Sequence, residues 1–173
     1  MYANESSYYD ARLPGVLSRI RLPHNALLPT IHISDLEGAS SELALRQHHI
    51  DVVFTLLAPD DDPLPHYDRI TYHRFDIEDG SGDIVTPAAA IADAMDALPP
   101  TTQFLVHCHA GVSRSASVVI YYIMRRFNMT YGRAKKCVKA SRRIISPSPV
   151  YAAQLKALNG TFRSAGCEDS ENE

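Results

Sequence analysis

The stretch from Phe104 to Ile120, FLVHCHAGVSRSASVVI, limits what this chain can fold into more than any other. QFLVH is a continuous apolar run, short enough for a strand buried on both faces. SASVVIYYIMRRF follows within a few residues and is apolar on nearly all sides, so it can be a helix only if that helix is central and buried. A short Gly-containing loop is all that separates them. A covered strand that turns at once into a buried helix calls for an α/β architecture, with helices packed over a largely parallel sheet.

The remaining segments repeat the alternation. TIHIS, around Ile31 and Ile33, has period two, and ASSELALRQHH, from Ala39 to His49, places helix formers behind a Ser-rich start. DVVFTLL is a short apolar run bounded by Pro59 and three aspartates, which completes a β-α-β opening. A turn-rich PDDDPLPHYD leads into ITYHRFDIED, where Tyr72, Phe75 and Ile77 predict a further strand. Pro87 suits the first position of a helix continuing through Ile91, Met95 and Leu98 until Pro99-Pro100 stop it. Two more helices are expected, from Tyr131 to Ala140 and from Pro147 to about Leu158, with Asn159-Gly160 as a stop. The expected fold is α/β, a central, mostly parallel (mixed) sheet of about five strands flanked by helices.

A length of 173 residues suits one well-buried domain, expected over 18–160 between an arm at 1–17 and an acidic tail at 161–173. The arm, rich in tyrosine, either orders against something else or frays. Whether it packs in cis, stays loose in a monomer or joins a homodimer stays open. The tail ends in Glu168, Asp169, Glu171 and Glu173 with no apolar residue to bury. A hydrophobic fraction of 45% with 21% charged residues excludes collagen-like and wholly disordered chains. The net charge of -3 supplies no global basic field, so no nucleic-acid partner is expected and any anion binding must be local. Cys108, Cys137 and Cys167 are an odd, scattered set without a CxxC pair, which disfavours a disulfide framework and a zinc site. No apolar run approaches the roughly 18 residues of a membrane span, and the N-terminus lacks the pattern of a signal peptide. A cytoplasmic or nuclear protein without a membrane partner is the expectation.

The chemistry gathers in the loop after QFLVH. A buried strand delivers the chain to Cys108 and a buried helix begins near Ser113 or Arg114, so backbone N–H groups and the positive end of a helix converge on one spot. That is an anion site that needs no lysine. A thiol there is favoured as thiolate by the helix terminus, the amides and a nearby guanidinium, which makes Cys108 a nucleophile. Gly111 allows the torsions of a tight cradle and removes a side chain where a ligand must approach. Arg114, at 114 − 108 = 6 positions on, offers a planar fork suited to two phosphate oxygens. These features describe phosphoryl transfer to sulfur.

His107-Cys108-His109-Ala110-Gly111-Val112-Ser113-Arg114 matches the HCxxGxxR signature, and the chain resembles the cysteine-dependent protein tyrosine phosphatases. Ser115-Ala116, Tyr122-Ile123-Met124, the run from Met129-Thr130-Tyr131 through Arg142 to Ile145-Ser146-Pro147, and YHRFDIED resemble the dual-specificity branch, over about Ser18 to Leu158. The resemblance implies a protein phosphatase acting on phosphotyrosine and phosphoserine or phosphothreonine of protein substrates through a cysteinyl-phosphate, without metal or other cofactor. It makes Cys108 the nucleophile and has Arg114 hold the phosphoryl group with His109, Ala110, Gly111, Val112 and Ser113. Ser115 is to bond the sulfur and ease its departure, and His107 is to orient the loop. His109 either touches substrate or merely covers the cradle.

The general acid is sought among Asp76, Asp79 and Asp83. The branch's aromatic-x-x-apolar-x-apolar-x-Asp pattern falls on Tyr72, Phe75, Ile77 and Asp79, which makes Asp79 the expected acid and leaves Asp83 for a helix start. Cys137 is expected in the core, and Arg125-Arg126 and Arg142-Arg143 on solvated or packing surfaces, with help in binding acidic substrates as the alternative. Where the branch often has Asn after Ser-Pro, this chain has Ser148 and Pro149, so the support behind the loop should be weaker or differently made. Two alternatives remain. A lipid or RNA phosphatase of the same fold tends to carry Lys or Arg inside the loop, which His109, Ala110, Val112 and Ser113 do not supply. A phospho-binding pseudophosphatase would normally have lost the cysteine, the arginine or the acid.

Overall fold

The computed structural model describes residues 14–23 and 28–162. The expected arm up to residue 13, the expected tail from residue 163 and Cys167 lie outside the described residues.

Five strands form one sheet in the order β1-β2-β5-β3-β4: β1 (Ser18–Arg19), β2 (Thr30–Ser34), β3 (Val52–Leu57), β4 (Thr71–Asp76) and β5 (Gln103–His107). β1 runs antiparallel to β2, and every other pairing is parallel. The sheet is therefore mixed and mostly parallel, as the alternation predicts. All six residues of the apolar β3 are buried, while the edge strand β4 has none buried, only Tyr72 and Phe75 being partly covered. Pleating sends alternate side chains to opposite faces. Ile31, Ile33, Phe54, Phe104 and Val106 enter the larger core, and Leu45, Ile50, Val53 and Leu105 the smaller one beneath.

The helical cover departs from the sequence reading in three places. The single helix expected from Ala39 to His49 is two, α1 (Leu36–Ser40) and α2 (Glu42–Gln47). Ser41 breaks them: its backbone is extended and its hydroxyl accepts from the Ala44 amide, so it ends one helix and caps the next. α3 (Val85–Asp96) begins two residues before Pro87, because Asp83 accepts the Val85 and Thr86 amides at 2.8 and 3.3 Å and sets the start itself. α6 (Pro149–Ala157) begins two residues after Pro147, with Ser148 as its N-cap and Pro149 in the first turn.

α4 (Arg114–Phe127) is the central helix, buried at every position from Arg114 to Met124. It ends where Asn128 takes a left-handed conformation, with φ of 49°. α5 (Tyr131–Ser141) packs on α4 through Tyr131, Ala134 and Val138, with Cys137 partly buried beside them. No described helix is long and apolar enough to cross a membrane.

Parallel strands aim their carboxyl ends at one edge of the sheet. Asp35 follows β2, Asp61 the end of β3, Asp79 the end of β4 and Cys108 the end of β5. Such an edge is where open α/β sheets bind ligands.

Two buried histidines make the fold sensitive to acid. Burial is the main cause that lowers His32 to about 4, with the neighbouring His48 adding to it, and burial likewise lowers His107 to about 4. The His32 Nδ1 atom has no hydrogen-bond partner, and a backbone interaction with Phe104 opposes the shift without offsetting burial. In the unfolded chain both rings take up a proton near pH 6.5, so their contribution to stability is complete above that pH and is lost as pH falls toward 4. Urea denaturation should register on the order of 2 kcal/mol per histidine between pH 7 and pH 5. His32→Gln should flatten this fall; an unchanged slope would place the acid sensitivity elsewhere.

Candidate active site

The loop from Cys108 to Ser113 is held from outside through its carbonyls. The His109 carbonyl accepts from the Leu36 amide at 2.9 Å, and the Val112 carbonyl from the Ser146 amide at 2.9 Å. The Gly111 carbonyl accepts Arg142 Nε at 2.8 Å. Among the described residues no protein acceptor takes the amides of His109, Ala110, Gly111, Val112 or Ser113. With its carbonyls tied outward, the loop keeps those N–H groups for a ligand. Gly111 has φ of +64°, and a Cβ there would overlap the Ser34 carbonyl, so no larger residue fits.

Cys108 is 2% exposed, and its Sγ lies 3.3 Å from the Ser115 hydroxyl in the first turn of α4. His107 is fully buried behind it. Because burial keeps the ring neutral at pH 7 and a carbonyl can only accept, Nδ1–H donates to the Cys108 carbonyl at 3.3 Å. Nε2 then accepts from the Thr55 hydroxyl at 2.9 Å. His107 thus ties the Cys108 backbone to the middle of the sheet.

Arg114 is 3% exposed and opens α4. Its Nη1 donates to the Ile77 carbonyl at 3.1 Å and stands 3.9 Å from Asp61. Nη2 stands 3.7 Å from Asp79, and Nε has no protein partner. The Nε–Nη2 edge is therefore the one left for two ligand oxygens. Of the three candidate acids, only Asp79 lies by this arginine. Asp76 pairs with Arg74 at 3.1 Å, and Asp83 is occupied at the start of α3.

Several participants escape a reading of the sequence. Arg142, expected on a solvated or packing surface, is 1% exposed, and besides Gly111 it donates to the Val16 carbonyl and the Ser18 hydroxyl. Its neighbour Arg143 is exposed, as expected, and Arg125 spans Asp93 and Asp96 on α3. From α6, Tyr151 Oη donates to the Glu78 and Ser81 carbonyls, and Gln154 Nε2 donates to the Gly82 carbonyl at 2.7 Å. Those bonds hold the segment that carries Asp79. Ser148, standing where Asn was anticipated, donates its amide to the Ser113 hydroxyl at 3.1 Å, and its own hydroxyl accepts from the Tyr151 amide. The support is differently made, by one serine acting at once on the loop and on α6.

His109 and Ala110 line a cavity of about 540 Å³ beside the loop, with Leu36, Glu37 and Ile144. Among the described residues no three His, Cys, Asp or Glu side chains gather to hold a metal ion.

Residues 37–160 match the family model described as dual specificity phosphatase, catalytic domain. The dual specificity protein phosphatase MPK-4 of Drosophila melanogaster is 34% identical over 148 residues, which cover 82% of this chain and 36% of that protein. The chain thus spans about a third of that relative's length. Among solved structures, a human tyrosine phosphatase-like serine/threonine/tyrosine-interacting protein aligns with TM-score 0.69 and 25% identity, covering 79% of this chain and 95% of that one. The Yvh1 phosphatase domain from Chaetomium thermophilum aligns with TM-score 0.70 and 21% identity over 83% of this chain and 95% of that one, a likeness of fold.

Removing the Arg142 head group orphans the Gly111 carbonyl inside the protein. Arg142→Met should lower unfolding free energy by about 2–3 kcal/mol. It should also loosen inorganic phosphate binding about tenfold through the displaced loop. Calorimetric titration and urea melts read both, and unchanged phosphate affinity in a folded variant would remove Arg142 from the support of the site.

Proposed function

The chain belongs to the dual specificity phosphatase catalytic-domain family, and we propose that it is a protein phosphatase hydrolysing phosphotyrosine and phosphoserine or phosphothreonine through a cysteinyl-phosphate. The observation that carries the reading is the buried Arg114, whose Nε has no protein partner and whose Nη2 meets only the exposed Asp79 at 3.7 Å, at the end of a loop whose amides no described acceptor takes.

In the proposed first step a phosphoryl group sits with its oxygens on the loop amides and the Arg114 fork. The α4 N-terminus and the guanidinium supply the positive charge. Cys108 Sγ attacks phosphorus, the ester P–O bond breaks, and Asp79 gives its proton to the departing side-chain oxygen. In the second step Asp79 takes a proton from water as that water attacks phosphorus. The P–S bond breaks, and the Ser115 hydroxyl, 3.3 Å away, donates to the sulfur as it leaves. Asp79 is 62% exposed, open to both the leaving oxygen and the incoming water.

His107, neutral and bonded to the Cys108 carbonyl, positions the nucleophile and exchanges no proton with substrate. His109, Ala110, Gly111, Val112 and Ser113 contribute the cradle. No resident metal or cofactor takes part in this mechanism. The free thiol that such chemistry needs, in a chain with scattered cysteines, supports a reducing location in cytoplasm or nucleus.

Two measurements test the assignment. Cys108→Ser should abolish turnover of an aryl phosphate while inorganic phosphate still binds; persisting turnover sinks the nucleophile assignment. Asp79→Asn should lower kcat about 100-fold, within the usual range for a lost general acid, whereas Asp76→Asn should change it less than about threefold, as for a surface pair. The opposite order would transfer the role to Asp76.

A further inference from the structure

α5 and the turn after it carry Arg133, Lys135, Lys136, Lys139, Arg142 and Arg143 and no acidic residue, in a chain whose net charge is -3. Lys135 and Lys139 are four positions apart, and Arg133–Lys136 and Lys136–Lys139 three apart, so like charges face one another along the helix and oppose its formation. Several arginines elsewhere find carboxylates: Arg46 has Glu42, Arg74 has Asp76, and Arg125 has Asp93 and Asp96. Lys135, Lys136 and Lys139 have no such partner among the described residues. Lys135 and Lys156 of α6 instead stand 5.8 and 5.7 Å from the Tyr131 ring centre, which brings a further cation to the same end.

These side chains border a groove of about 570 Å³ lined by Gly132, Lys135, Lys136, Lys139, Ala140 and Arg143. Gly132 is exposed, with open space where a Cβ would stand, so the groove admits a backbone closely. α5 has eleven residues, about 16 Å, room for roughly five residues of extended chain. The groove has no exposed aromatic to stack a base and no large apolar side chain to enter a bilayer, which points away from nucleic acid and membrane.

We propose that the α5 groove is a docking site for an acidic segment of the phosphoprotein substrate, remote from the phosphorylated residue. Charge complementarity selects the occupant, and the groove's position selects the source. Arg143 lines the groove, and the preceding Arg142 bonds the Gly111 carbonyl, so the docking surface continues into the backing of the cradle. The like-charge repulsion of the isolated helix is relieved when the carboxylates arrive. The substrate source, though not the groove's preference for carboxylates, rests on the phosphatase reading.

The test uses the full chain with Cys108→Ser and a fluorescent peptide bearing a run of six glutamates. Binding should be measurable at low salt and fade between about 50 and 300 mM salt as screening sets in. The combined variant Lys135→Gln, Lys136→Gln, Lys139→Gln should bind about tenfold more weakly, yet melt at a higher temperature. In the chain with Cys108 intact, those substitutions should lower kcat/KM about tenfold for a phosphotyrosine peptide carrying the same acidic run, and less than twofold for an aryl phosphate. Equal peptide binding by the triple variant, or equal binding of a glutamine-run peptide by the parent, overturns the proposal. Binding of anionic vesicles in place of the peptide also overturns it, as does peptide binding seen only after residues 163–173 are removed. Should the intact chain leave aryl phosphate untouched, the phosphatase reading fails by itself, and the peptide titration still decides the groove.

Discussion

Everything at this site depends on a loop whose amides are left without protein acceptors. Such a conformation is unfavourable by itself, since buried N–H groups ordinarily find partners. It persists because the carbonyls are satisfied from behind, by the Leu36 amide, the Ser146 amide and the Arg142 guanidinium. The absent Cβ at Gly111 lets the backbone close on Ser34. Arg142 is the demanding member of this set, because its charge must be kept out of water. Burial lowers its pKa, while Asp35 and Cys108 oppose that shift. Burying this arginine costs stability, and in return the loop is held with its amides unpaired beside Arg114.

The sheet explains why the other groups arrive at the same place. Parallel strands in the order β2-β5-β3-β4 send four consecutive connections out of one edge. The central position of β5 puts Cys108 between the Asp35 turn and the loops of Asp61 and Asp79. His107 extends the logic downward. Its bond to Thr55 on β3 fixes the end of β5 against its neighbour just where the chain leaves the sheet. Core packing and the placement of Cys108 therefore meet in one buried imidazole.

How legible all this was in the sequence follows from how local each feature is. Cys108, Gly111 and Arg114 lie within seven consecutive residues, and strand, loop and helix announce themselves by apolar runs, so that part could be read directly. Asp79 came from a family pattern over one strand and not from any local physical signal. Arg142 could not be distinguished from Arg143 by sequence, since both follow a basic helix and only the fold decides which points inward. Asp61 was one of three adjacent aspartates. Its place beside Arg114 depends on the Ala58 amide it accepts and on Arg74, which holds the Ala58 and Asp61 carbonyls. The break at Ser41 was missed because helix formers on both sides mask a residue whose hydroxyl competes for the backbone.

Serine at 148 also carries a wider consequence for the geometry of the reaction. An asparagine could support the loop through its side chain; here the support comes from the backbone at the entrance of α6, while the side chain caps that helix. Tyr151 and Gln154, on the next turn, hold the Glu78–Gly82 segment. One short helix thus grips both the cradle and the segment bearing Asp79, and it is anchored to the core by Tyr151 and Leu155. The Cys108 loop and the segment bearing Asp79 are then both tied to one helix, and are not two loops that settle independently. Asp79 can stay 62% exposed in this arrangement while the Cys108 to which it is tied through α6 is 2% exposed.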